Sequence, residues 1–189
     1  MVTLCSGLAI LLLTASTLAA DPAHAEPSSR SARVGLELQA YPAGLVPGIR
    51  WEQPVRDDWA LALRLGWNLT DRRDWGEHDD ESGDGPGGGV AVLRRFEAWG
   101  WSWRAGARVD TWWLEIDWRD DATSTLDTRE GRTEIVVVQP TVVLGLEVGS
   151  SSAWTAEVTA ALGQEINVDT AGEEVGEGPI GLLGITIMR

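Results

Sequence analysis

The chain has no lysine, one cysteine, one tyrosine and one phenylalanine among its 189 residues. Its cationic side chains are therefore 15 arginines, set against 29 acids, for a formal net charge of −14. A surface of that sign repels a phosphate backbone, which excludes nucleic acid as a partner. With Cys5 as its one cysteine, the chain forms no internal disulfide and must rest on packing and backbone pairing. No apolar run reaches the roughly 20 residues of a membrane-spanning helix; the longest, Leu8 to Ala20, has 13. Hydrophobic residues at 43% and charged residues at 23% exclude a disordered chain. The length fits one domain.

What is abundant is tryptophan, 11 of the 13 aromatic residues. The N-terminal run is followed by Ala23-His24-Ala25, an A-x-A cleavage pattern. Residues 1–25 therefore read as a secretory signal peptide, although Met1 to Gly7 carry no positive charge. The expected organisation is a signal peptide over 1–25, a short periplasmic segment over 26–32, and one β-domain over 33–189.

Within that domain apolar residues recur with period two, the mark of a strand with one apolar face. Trp59, Leu61, Leu63, Leu65, Trp67 and Leu69 alternate with Ala60, Ala62, Arg64, Gly66 and Asn68. The same alternation predicts eight strands, near 33–41, 45–53, 59–69, 88–96, 99–118, 134–148, 154–168 and 180–188. On the fourth, Val90, Val92 and Phe96 are placed on the apolar face. The connections alternate in length. Short ones follow strands two, four and six, and long ones cover Thr70–Gly87, Arg119–Arg132 and Asp169–Gly178. The first hairpin, Pro42 to Gly44, is short. An even set of antiparallel strands with short turns at one end and long loops at the other is the outer-membrane barrel pattern. Pro140 falls inside a strand of a sheet with no edge, so a bulge is expected there.

Three features place the apolar face outward. It carries almost no charge. The opposite face mixes Gly and Ala with scattered Arg and Glu, which suits a narrow lumen. Aromatic residues gather near strand ends: Trp51, Trp59, Phe96, Trp99, Trp101 and Trp154 at the short-turn end, Trp67, Trp113 and Tyr41 at the loop end. Such girdles flank an apolar band of about 25 Å. The fold class is therefore all-β: an eight-stranded antiparallel up-and-down transmembrane β-barrel. A soluble barrel with its apolar face inside, a periplasmic lipocalin-like ligand binder, is the alternative.

Signal peptide, strands, alternating connections and aromatic girdles together resemble the small eight-stranded bacterial outer-membrane proteins, of the outer-membrane protein A transmembrane domain and outer-membrane protein X type. The resemblance is architectural and covers residues 33–189. It implies a Gram-negative outer-membrane location, a monomer with both termini in the periplasm, contact with outer-membrane lipids and lipopolysaccharide, and delivery by the barrel-insertion machinery. Members usually end on an aromatic residue, where this chain ends Ile187-Met188-Arg189.

Strand parity sends Glu37, Arg50, Glu52, Arg64, Arg104, Arg108, Asp110, Glu147, Glu157 and Glu165 into the lumen. Charges in so narrow a space must pair, and the expected result is a polar plug rather than a porin-like channel. Equal inward faces across the first hairpin put Glu37 opposite Arg50, and Arg104 near Glu147. Some barrels of this kind modify lipid A, using histidine with serine or an acid. Outside the signal segment the chain has one histidine, His78, beside Asp79, Asp80 and Ser82. In a Gly-rich acidic loop it lacks the rigid support that catalysis needs and reads as exposed, so no catalytic residue is assigned. Residues 80–85 resemble the start of a calcium loop but lack its closing Glu, Ala91 standing there instead. Asp79, Asp80 and Asp84 are candidates for loose Ca²⁺ or Mg²⁺ association; no other cofactor is expected. With fifteen acids against five arginines in the long connections, the expected role is structural or surface-interacting.

Overall fold

A computed structural model describes residues 31–73, 77–122, 127–150 and 154–189. The signal segment 1–25 and residues 26–30 lie outside the described residues. Eight strands follow in chain order: β1 (Arg33–Tyr41), β2 (Gly44–Pro54), β3 (Trp59–Arg73), β4 (Asp80–Ala98), β5 (Trp101–Asp120), β6 (Arg129–Ser150), β7 (Thr155–Ala171) and β8 (Gly178–Met188). Each pairs antiparallel with its chain neighbour, and β1 pairs with β8 to close the barrel. Closure leaves no strand edge unpaired within the apolar band, which a lipid-embedded sheet requires.

Partners followed round the ring from Arg33 run through Glu52, Ala62, Ala91, Arg108, Thr141, Gly163 and Ile180. The register of β8 on β1 returns that line about ten residues further along β1, a stagger that goes with a strand tilt of roughly 40°.

The outer surface is apolar through the middle of the barrel. Leu36, Leu65, Val142, Leu162 and Leu183 are each more than 60% exposed. Val90, Val92 and Phe96 also face outward. The interior is charged, the reverse of a lipocalin-like binder with an apolar cavity.

Several details depart from the sequence-based expectations. The long connections are shorter, because β3 to β7 continue past the apolar band. Much of 70–87 is strand, and the connections reduce to 74–79, 121–128 and 172–177. The first turn is the two residues Pro42-Ala43, since Gly44 pairs with Tyr41. Glu37 therefore stands opposite Gly48, and Arg50 opposite Gly35. Pro140 lies in β6 without a bulge. The β6–β7 pairing skips Gln139 and Pro140 and resumes in the same register, while Pro140 still pairs with Val109 on β5. One missing N–H is thus absorbed by a gap on one side. The register shifts fall instead at Val136/Val137 and Glu147/Gly149. Trp99 sits in the β4–β5 turn with φ 53°, followed by Gly100 at 77°. That pair of positive angles is what a two-residue hairpin matched to strand twist requires.

Strand β5 shows why the extensions form. Between Trp101 and Trp113 its outward residues include Trp101, Val109 and Trp113, while Arg104, Arg108 and Asp110 point inward. Beyond Trp113 the outward residues are Glu115, Asp117 and Arg119, and the inward ones Leu114, Ile116 and Trp118. The polarity of the two faces inverts with no change of register. Below the switch the strand is apolar outside and charged inside; above it the strand has the side-chain distribution of a water-soluble sheet, with its own small core. Tyr41, Val46, Trp112, Ile135, Val137, Val175 and Ile180 join that core. At the opposite end, a hydrogen bond from Arg94 Nε (2.7 Å) holds the Asp58 carboxyl below the ordinary carboxylate range.

Small residues permit the closest strand approaches. A Cβ on Gly106 would lie 1.9 Å from the Val92 carbonyl oxygen, whereas one on Gly149 would have nothing nearer than 3.9 Å. Gly106→Val should therefore cost at least about 1–3 kcal/mol through overpacking, and Gly149→Ala should stay within about 0.5 kcal/mol of wild type. Denaturant unfolding of the refolded barrel, followed by tryptophan fluorescence, measures both.

Candidate functional site

The lumen is built by strand parity, every second residue of each strand pointing to the axis. The structure places Glu37, Arg50, Glu52, Arg64, Arg104, Arg108, Asp110, Glu157 and Glu165 there, each at most 6% exposed. The Glu147 side chain is 7% exposed and joins them.

Glu52 is the hub at the short-turn end. It meets Arg33 at 2.5 Å, Arg50 at 2.8 Å and Arg104 at 2.5 Å. Arg50 and Arg104 share Glu157, each at 3.2 Å, and Arg104 Nε lies 3.4 Å from Glu147. Further up, Arg64 reaches Glu37 at 2.8 Å and Asp110 at 3.1 Å. Arg108 meets Asp110 at 2.8 Å. Although Glu37 and Arg50 are not directly opposite, their heads approach to 3.8 Å, because long side chains cross the stagger. Sequence parity missed Arg33, Arg72 and Glu81. Arg33 closes the lower end, and Arg72 pairs with Glu81 and Glu165 at the upper end. Arg33 stands at the first position of the predicted first strand, before its alternation is established, whereas Arg72 falls in the stretch Thr70–Gly87 that reads as a loop. A gap of about 20 Å³ lies beside Arg108 in the charged layer, enough for about one water, and a recess of about 420 Å³ reaches Arg33, Glu52 and Arg104 from the short-turn end.

The girdle residues face outward. Trp59, Trp67, Phe96, Trp99, Trp101, Trp113 and Trp154 are 37–89% exposed, and Trp51 is half-buried. Arg94 lies 5.9 Å from the Trp59 ring and Arg189 5.7 Å from the Trp154 ring. Tyr41 departs from the expected girdle. It is 9% exposed, and its hydroxyl donates to Asn68 Oδ1 at 2.7 Å inside the mouth.

Asp79, Asp80 and Asp84 do not converge. Asp80 and Asp84 are four residues apart on β4, roughly 13 Å at strand spacing. Asp80 pairs with Arg119 at 2.9 Å, Asp84 accepts from Trp67 Nε1 at 2.9 Å, and Asp79 accepts from the Asp121 amide at 2.8 Å. Among the described residues, no three His, Cys, Asp or Glu side chains are grouped to hold a metal ion. Strand pairing instead aligns the exposed Asp84, Glu115 and Glu134 on neighbouring strands just above Trp113, a like-charge row that loop-based reasoning cannot reveal.

His78 is not exposed. Its side chain is 10% accessible and stacks on Trp118 at 4.2 Å and 11°. Nδ1 lies 3.0 Å from Asp120 Oδ1 and Nε2 lies 3.0 Å from the Glu174 carbonyl. The His–Asp pair resembles half of a hydrolytic triad. Nε2, however, faces a carbonyl oxygen rather than a nucleophile, and Ser82 is an exposed residue of β4.

No protein-family model matches the chain, and no curated protein matches it. Among solved structures, the barrel is similar to the N-terminal β-barrel domain of Pseudomonas aeruginosa OprF, at 14% identity over 84% of this chain and 96% of that one, TM-score 0.45. It is also similar to Neisserial surface protein A, at 13% identity over 83% and 92%, TM-score 0.49. A third is Ail, the attachment invasion locus protein of Yersinia pestis, at 6% identity over 84% and 97%, TM-score 0.46.

The network makes distinct predictions for its hub and its margin. Glu52→Ala removes a partner from three guanidinium groups at once and should cost about 3–5 kcal/mol. Arg108→Met removes one partner of Asp110 while Arg64 remains, and should cost less than about 1.5 kcal/mol. Equilibrium unfolding in lipid vesicles compares the two.

Proposed function

We propose that this chain is an integral protein of the bacterial outer membrane with a closed lumen, acting as an envelope or surface-interaction protein and neither as a pore nor as an enzyme. The observation that carries this is the continuous ion-pair network filling the barrel interior beneath an apolar outer belt. An apolar belt of this width is tolerable only in lipid, because a soluble monomer does not leave such a patch in water. Eight strands leave an interior that side chains alone can fill, and here guanidinium and carboxylate groups fill it.

The strand extensions and their connections then supply what the protein offers outward. That surface is acidic and stands beside lipopolysaccharide, which is itself anionic. Row-aligned Asp84, Glu115 and Glu134, with the Arg132 guanidinium 2.8 Å from Glu115, keep a net negative charge that favours counter-cations at that level, with Ca²⁺ or Mg²⁺ acting as diffuse screening charge rather than as occupants of a cage. The aromatic girdles set the depth in the bilayer, with outer-membrane lipids as the first partners and insertion machinery as the delivery route. A monomer suffices, since the barrel leaves no open sheet edge within the apolar band. A lipid-modifying enzyme would need a nucleophile at His78 Nε2, where the Glu174 carbonyl stands instead.

Planar-bilayer recording tests the closed lumen. Purified, refolded protein should insert without discrete conductance steps at neutral pH. Regular porin-like steps that survive further purification would contradict the plugged lumen.

A further inference from the structure

Connection 172–177 lies across the extracellular end of the lumen. Val175 is 4% exposed and Gly176 is buried. Side chains from four strands hold it. Arg72 of β3 donates to the Gly176 carbonyl. Glu81 of β4 accepts the Gly176 amide at 3.0 Å. Thr133 of β6 donates to the Glu173 carbonyl at 2.9 Å, and Asn167 of β7 donates to the Val175 carbonyl at 2.9 Å. His78 adds a further tie through the Glu174 carbonyl.

His78 differs from the others in its proton demand. Its two ring nitrogens each face an atom that can only accept: the Asp120 carboxylate and a backbone carbonyl, both at 3.0 Å. Neutral imidazole carries one N–H, so it satisfies one partner and turns a lone pair toward the other. Imidazolium donates to both. We propose that His78 is a proton-operated latch. In its protonated form it ties the 172–177 strap to the end of β5 and keeps the extracellular mouth shut. On deprotonation it lets go, and the strap opens over Trp118 and the Arg72 cluster.

The charged groups around the latch are known from each side. Its own hairpin brings Glu77, Asp79 and Glu81, the last accepting the His78 amide at 3.2 Å. β5 brings Asp120, and the strap brings Glu173, Glu174 and Glu177. β6 brings Arg129, whose guanidinium lies 5.8 Å from the Trp118 ring and 3.5 Å from Glu173. Arg72 is occupied by Glu81 and Glu165. Carboxylates and guanidiniums ordinarily keep their charge between about pH 5 and 8, whereas histidine changes its charge there. The sign follows. The latch holds below the imidazole titration and is lost as pH rises through it.

Amide hydrogen exchange of the refolded full-length barrel tests this at about pH 5.5 and about pH 8.5. Peptides covering 172–177 are compared at each pH with the same peptides in the unfolded chain, which removes the intrinsic pH dependence of exchange. Wild type should lose about tenfold protection in the strap between the two conditions, the effect of one net hydrogen bond, while β1 and β2 stay unchanged. His78→Arg keeps a permanent multi-donor cation and should be protected at both. His78→Phe keeps an aromatic face for Trp118 without either donor and should be unprotected at both. Wild-type protection that does not change with pH, or a His78→Phe barrel that keeps the wild-type change, would overturn the latch.

Discussion

Strands β3 to β7 have to satisfy two solvents in succession, and that constraint shapes the rest. Inside a bilayer a backbone polar group finds no water, so all of them must pair within the sheet, and a sheet without edges is the solution open to strands. The same bilayer reverses the usual distribution of side chains, with aliphatic groups outside and polar groups on the axis. Strand β5 carries the reversal and its end in one continuous segment. Arg104, Arg108 and Asp110 face the axis where Val109 and Trp113 face out; four residues later Leu114, Ile116 and Trp118 face in beneath Glu115, Asp117 and Arg119. The level of that switch coincides with the upper girdle, so one strand records where the lipid stops.

The charged axis follows from the reversal. A guanidinium or carboxylate removed from water is costly unless its partners are close and numerous. The network meets that demand by sharing: Glu52 serves three arginines, while Arg50 and Arg104 are joined again through Glu157. Such sharing ties strands that are not neighbours in the sheet, as Glu52 of β2 is tied to Arg104 of β5. It therefore opposes register slip in addition to filling the bore. Two inward glycines fit the same picture: a Cβ on Gly89 would lie 2.0 Å from Asp110 Oδ1, and one on Gly145 2.7 Å from Glu157 Oε1.

Much of this was legible in alternation alone. Period two marks the strands, and parity assigns the inward charges without knowledge of pairing. What alternation cannot provide is where a strand ends once it leaves the membrane. Asp80, Ser82 and Asp84 look like loop in composition, yet they are the outward face of β4, with Glu81 turned inward at 2% exposure. The hidden information is the inversion itself: above the girdle, polar residues at alternate positions mean an outer face and not a connection. For the same reason the three candidate cation ligands do not meet, and Arg72 escapes notice as a lumen residue. His78 was unreadable for a different reason. Its surroundings come from Trp118, Asp120 and Glu174, far away in sequence, and no local pattern announces them. The first hairpin is tighter by two positions than equal inward faces suggest, so Glu37 stands opposite Gly48 and not Arg50.

The extracellular end is thus more ordered than its acidic composition suggests, with an apolar layer above the ion pairs and a strap above that layer. All of it presupposes that the belt from Leu36 to Val142 faces lipid. The most direct measurement is fractionation of cells expressing the full chain, with the membrane pellet run unboiled and boiled on the same denaturing gel. The account predicts a protein that stays with the outer membrane through alkaline carbonate washing and migrates faster before boiling than after. Recovery in the soluble periplasmic fraction, with identical migration in both lanes, would contradict it.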